Sequence, residues 1–182
     1  MVVLVFLRLI GIINAAVWLG ASVTFVCAVI PAFFSSAMLR LLPLSHAGAA
    51  GLIVAQHCFV LQYFCGVIAL GHLAAEWLYA GKPIQRWPTY LVGGLLGLAL
   101  LGGQVLQPRL QRLHLEMYGV RSSPQQRARA GAAFRSWQVA IHAANMLTIF
   151  GLATYVWQVT SAGMAARFVG ATKFRGLTNN VS

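Results

Sequence analysis

Carboxylates are nearly absent from this sequence: Glu76 and Glu116 are the only acidic side chains in 182 residues. That excludes a glycosidase-type acid pair, an EF-hand calcium loop and a two-metal carboxylate site, each of which needs several acids in one place. Charge of either sign is scarce, at 8% of residues against roughly 25% in an ordinary soluble chain. Hydrophobic residues make up 59%, more than a soluble domain of this size can cover with polar surface, so the bilayer is the implied solvent. The sequence has no Cys-x-x-Cys-His run for c-type haem, no Gly-x-Ser-x-Gly elbow, no His-Glu-x-x-His and no phosphate loop. Its serines lack a placed base, and the expectation is a protein that is not an enzyme.

The three cysteines, Cys27, Cys58 and Cys65, all lie in apolar runs. Cys58 and Cys65 share one helix at a separation too large for a disulfide, which needs α-carbons within about 7 Å. They read as small buried hydrophobes. The formal charge of +11 raises the question of nucleic acid, but none of the motifs of a nucleic-acid-binding fold is present. Such a surface suits anionic lipid headgroups instead. No basic region precedes the first apolar run, since Arg8 lies inside it, and no small-residue cleavage site follows; the first span is expected to be retained.

Four runs are long enough to cross a membrane, which takes about 20 mostly apolar residues. They cover about 9–30, 49–78, 90–106 and 139–159, so residues 1–160 read as one all-α, integral membrane four-helix bundle, followed by a basic tail over 161–182. The second run is long, and Glu76, Trp77 and Tyr79 suit its emergence into the headgroups. Pro31 to Ser45 is too short to cross and too apolar for water, which predicts an interfacial segment. Between spans 3 and 4, residues 107–138 favour helix and carry Arg109, Arg112, Arg121, Arg127, Arg129 and Arg135. This predicts an extended basic helical hairpin, with a turn at Gly119–Ser123, Ser123 as cap and Pro124 at the first helical position.

Six bases on the side of the termini face seven on the hairpin side, so the positive-inside rule gives only a lean toward a cytoplasmic hairpin. The setting expected is a multi-pass protein of a bacterial inner membrane or an equivalent one. Gly93 with Gly97, and Ala140 with Ala144, are spaced as close-contact stripes. No inverted repeat or broken helix of the kind found in transporters is visible.

Polar side chains inside a span turn toward other helices, because lipid offers them no partner. The expected bundle network is Gln56, His57, Gln104, Gln138, His142 and Asn145, with Asn14 and Gln62 as further in-span polar residues. His57 and His142 fall at similar depth on the second and fourth spans. They leave open an alternative in which two imidazoles ligate a b-type haem for electron transfer or redox sensing; otherwise no cofactor or metal is expected. His46, His72 and His114 lie near helix ends, where solvation is the ordinary state. A further alternative is a small solute or ion transporter working through the polar residues near Asn14, Gln56, Gln104 and Asn145.

Arg109, Arg112, Arg127 and Arg129 on the hairpin, and Phe168, Lys173, Phe174 and Arg175 on the tail, combine cations and aromatics suited to headgroup or partner contact. With few ionisable groups inside, the expected role is assembly: an accessory or scaffold subunit beside other membrane-protein subunits, in contact with lipid and without nucleic acid.

Several landmarks follow in order. Trp18-Leu-Gly, Phe25 and Pro31-Ala-Phe-Phe34 close the first span, and Ala47-Gly48 to Tyr63-Phe64 mark the second. Gln107-Pro108-Arg109 closes the third, and Phe134, Trp137 and Asn145 lie on the fourth. Over about residues 15–160 this pattern resembles the transmembrane protein 205-like family, which implies a four-span membrane domain without a settled activity. The histidine of that family's fourth-span motif is Gln138 here, with His142 one turn later, so a role resting on that histidine does not transfer directly.

Overall fold

The structure, a computed structural model, describes residues 2–80, 86–119 and 122–175, with side chains for 6–79, 86–119 and 122–161. Helix α1 (Val2–Thr24) runs through a π-turn (Phe25–Val29) into α2 (Ile30–Phe33), and α3 (Ser36–Leu41) follows. Next come α4 (Leu44–Ala80), α5 (Arg86–Leu101), a second π-turn (Gly102–Leu106), α6 (Gln107–Tyr118) and α7 (Pro124–Arg175). There is no strand among the described residues. Four stretches are long and apolar enough to cross a membrane: Phe6–Leu41, Leu44–Tyr79, Arg86–Tyr118 and Pro124–Ser161.

At 37 residues, α4 is about 55 Å long at 1.5 Å per residue and overruns a hydrocarbon core of roughly 30 Å. Helix α7 has 52 residues. Its backbone stays helical through Arg175, so the segment read as a separate tail begins as a continuation of this helix. The hairpin forms as its local chemistry predicts. Ser123 and Gln126 make a reciprocal cap, with Ser123 N donating to Gln126 Oε1 at 3.0 Å and Gln126 N to Ser123 Oγ at 3.3 Å. Each side chain satisfies a backbone donor that the first turn leaves without a partner.

Both π-turns stand just ahead of a proline. Ile30 N–H donates to Phe25 O and Gln107 N–H to Gly102 O, each across five residues, immediately before Pro31 and Pro108. Proline has no N–H to give, and its ring clashes with the carbonyl four residues back. One wider turn relieves the clash without ending the helix. Spans 1 and 3, which run in the same direction, therefore carry the same interruption, a break that the apolar runs conceal.

The long helices form a closed ring in which α1 packs on α4 and α7, and α5 packs on α4 and α7. Its core is a cluster around Trp18, Cys65, Ala69, Val92, Leu95, Leu152 and Tyr155. In lipid the helices gain little from hiding apolar surface from one another, so close packing has to hold them. A methyl group on Gly66 would stand 2.7 Å from Leu96 Cδ1, and one on Gly151 would stand 2.8 Å from Leu95 Cδ2. Gly93 and Gly97 are not used in this way: among the described residues nothing lies within 4 Å of a Cβ at either. Cys65 is buried as expected, whereas Cys27 is exposed on the outside of the bundle.

Candidate functional site

The polar side chains collect into two regions, one toward each end of the bundle. On the hairpin side, α6 lies along the start of α4. Gln107, only 2% exposed, donates its amide to Leu52 O, and Gln111 donates to Gln56 Oε1 at 3.4 Å. His114 is 7% exposed and donates from Nε2 to Ser45 O at 2.9 Å. Its ring lies against Tyr118 and Phe134, with centroids 4.9 and 6.1 Å away. The space for that ring comes from Gly48, where a methyl would stand 2.8 Å from His114 Cε1.

On the side of the termini, Asn14 donates its amide to Cys65 O at 2.9 Å and so ties α1 to α4. His72 is buried against Gly11, and among the described residues neither of its ring nitrogens has a partner; the Trp18 indole N–H and the Tyr155 hydroxyl are likewise unpaired there. Such interhelical bonds are worth about 0.6 kcal/mol on average and about 1.7 at most in membrane bundles. Asn14→Leu is accordingly expected to cost about that much in unfolding free energy, measured by SDS titration in mixed micelles. A loss above about 3 kcal/mol would mean that Asn14 carries more than this one bond.

The residues expected to form one network are spread out. Gln56 joins Gln111, whereas His57 is exposed and donates Nδ1–H to Ile53 O of its own helix at 2.9 Å. Gln104 is exposed within the second π-turn, and Gln138 and His142 are half-buried on α7. Asn145 lines a small cavity together with Gln62 and Thr148. On the hairpin surface the Arg109 guanidinium stands 5.1 Å from the Trp137 ring centroid, a cation–π pair. Arg127 donates to Gly119 O at 3.1 Å, while Arg112 and Arg129 are exposed. Phe168, Lys173, Phe174 and Arg175 lie outside the residues whose side chains are described.

The helix-end rule misplaces His72 and His114, both of which are buried. The facing glycines, Gly11 and Gly48, make the difference, and a glycine reveals a close approach only once the opposing helix is known. In the sequence Gln107 stands out only beside Pro108 and Arg109. Its signal is an amide held in the last apolar turn before the chain turns basic.

Comparison with curated proteins finds no match, and neither does comparison with solved structures. Residues 13–119, more than half of the chain, match a family described as a domain of unknown function, DUF4149. That stretch holds most of the first span, the second and third spans, both π-turns and, among the described residues, the hydrogen bonds between α6 and α4, and this chain belongs to the DUF4149 family.

Proposed function

We propose that this chain is a non-catalytic accessory or scaffold subunit of a larger complex, set by its four helices in a membrane such as a bacterial inner membrane. One observation carries the reading: much of the interior polarity is committed to joining helices. Asn14, Gln107, Gln111 and His114 each bond to a different helix or its entry, so these groups are already spoken for. Lipid binding fits the hairpin, which carries exposed Arg112 and Arg129 as well as the Arg109–Trp137 pair. Each base near an anionic surface contributes about 1 kcal/mol.

The test is co-purification. A tagged full chain, extracted from native membranes in mild detergent, is expected to bring down another membrane subunit in fixed ratio, and deletion of residues 163–182 is expected to weaken that association. Migration alone, without any such subunit, sinks the proposal.

His57 favours a second reading. Its Nδ1–H is held by a backbone carbonyl, which orients the ring as in a ligating imidazole, and because His57 is exposed on α4 a b-type haem on it would sit outside the bundle, with His142 of α7 as second ligand only if that helix is turned toward it. A Soret band in protein from native membranes supports that reading; its absence removes it.

A further inference from the structure

Helix α7 makes no side-chain hydrogen bond to α1 or α4 among the described residues; Gln126 and Arg127 bond outside the helix only to the hairpin turn, at Ser123 and Gly119. Yet it presents Asn145 and Thr148 to a cavity of about 10 Å³, and Gln62 of α4 faces the same space. Gln62 is 8% exposed and has no hydrogen-bonding partner among the described residues. Thr148 Oγ1 donates back to Ala144 O at 2.9 Å, which leaves its lone pairs free to accept. Phe59, Leu106 and Ile141 close the apolar part of the wall.

The second π-turn helps to shape this space. Gly102 lines it, and a methyl at that position would run into the Phe59 ring. The volume matches about one sphere of 1.4 Å radius, the least that holds a water, and a buried water needs two to four polar partners. Gln62, Asn145 and Thr148 supply three.

We propose that this cavity is a binding site for a single water molecule that bridges Gln62 of α4 to Asn145 and Thr148 of α7. The water supplies a polar tie that α4 and α7 do not make directly among the described residues, and it joins the two helices that stand diagonally across the ring. A neutral guest is favoured over a monovalent cation by the residues present. Glu76 and Glu116 are both exposed and neither lines the cavity. An ion without a counter-charge would meet the desolvation penalty of a low-dielectric interior, whereas water would not. This inference does not depend on the accessory-subunit reading, since a water bridge holds in a protein that works alone.

The test uses the full chain in nanodiscs with side-chain amides of Gln and Asn labelled with ¹⁵N, the conservative variants Q62N and N145Q serving to assign the signals. Both amides are expected to show cross-peaks to a slowly exchanging water. In addition, Q62L and N145L together are expected to lower stability by less than the sum of their separate effects, because either change alone already removes the bridge. Absence of water cross-peaks at both amides in the unaltered protein overturns the proposal, and that measurement requires no variant to fold. A saturable rise in melting temperature with sodium chloride but not choline chloride also overturns it, in favour of a cation.

Discussion

Gly103→Ala is expected to destabilise the bundle by about 1–3 kcal/mol, the usual cost of overpacking a filled interior, while Gly97→Ala is neutral or stabilising by up to about 1 kcal/mol. The two glycines lie on the same span, and in an isolated helix both changes would help. Their surroundings reverse one sign. A methyl at Gly103 would collide with the Tyr63 hydroxyl and would stand 2.9 Å from Tyr63 Cζ and 3.0 Å from Phe59 Cβ. The hydroxyl can swing aside; a Cβ fixed to α4 cannot, so the helices must separate. At Gly97 nothing lies within 4 Å. Reversible unfolding in SDS and mild detergent gives both values. Equal effects of the two substitutions would mean that α5 does not meet α4 at the π-turn.

Trp18→Ala is expected to cost about 3–5 kcal/mol by the same assay, whereas Trp18→Phe costs about 1–2 kcal/mol, as a smaller loss of buried volume. Trp18 is fully buried, and its ring reaches the α4–α5 seam, with Cη2 3.3 Å from where a Cβ on Gly66 would stand. Its indole N–H has no partner among the described residues, so neither substitution forfeits a hydrogen bond there. The loss is packing. That distinction matters in lipid, where exposing an apolar ring costs little and the dispersion contacts of a filled core carry most of the stabilisation. If phenylalanine proves as damaging as alanine, the N–H has a partner after all and the volume argument fails.

The alternation of apolar runs with charged or proline-bearing breaks determined the four spans and their order, because transfer into hydrocarbon depends on local composition along the chain. Local rules also determined the hairpin turn: Ser123 and Pro124 act within one turn of the backbone they cap, and no distant segment is needed to place them. The basic character of the hairpin was legible for the same reason.

Tertiary structure alone decided which way each span is rotated. Gln107 reaches Leu52, His114 reaches Ser45 and Asn14 reaches Cys65, all pairs more than fifty residues apart. Rotation about a helix axis is set by the fit of side chains on the opposing surface. Thus His57 faces outward although it sits in a span, His114 is buried although it lies past the apolar run 90–106, and Gly66 and Gly103 are close contacts where Gly93 and Gly97 are not. The same fit chose a π-turn ahead of Pro31 and Pro108. Proline demands relief from a clash, and only neighbouring helices able to accept a wider turn determine that the relief is a bulge and not the end of the helix.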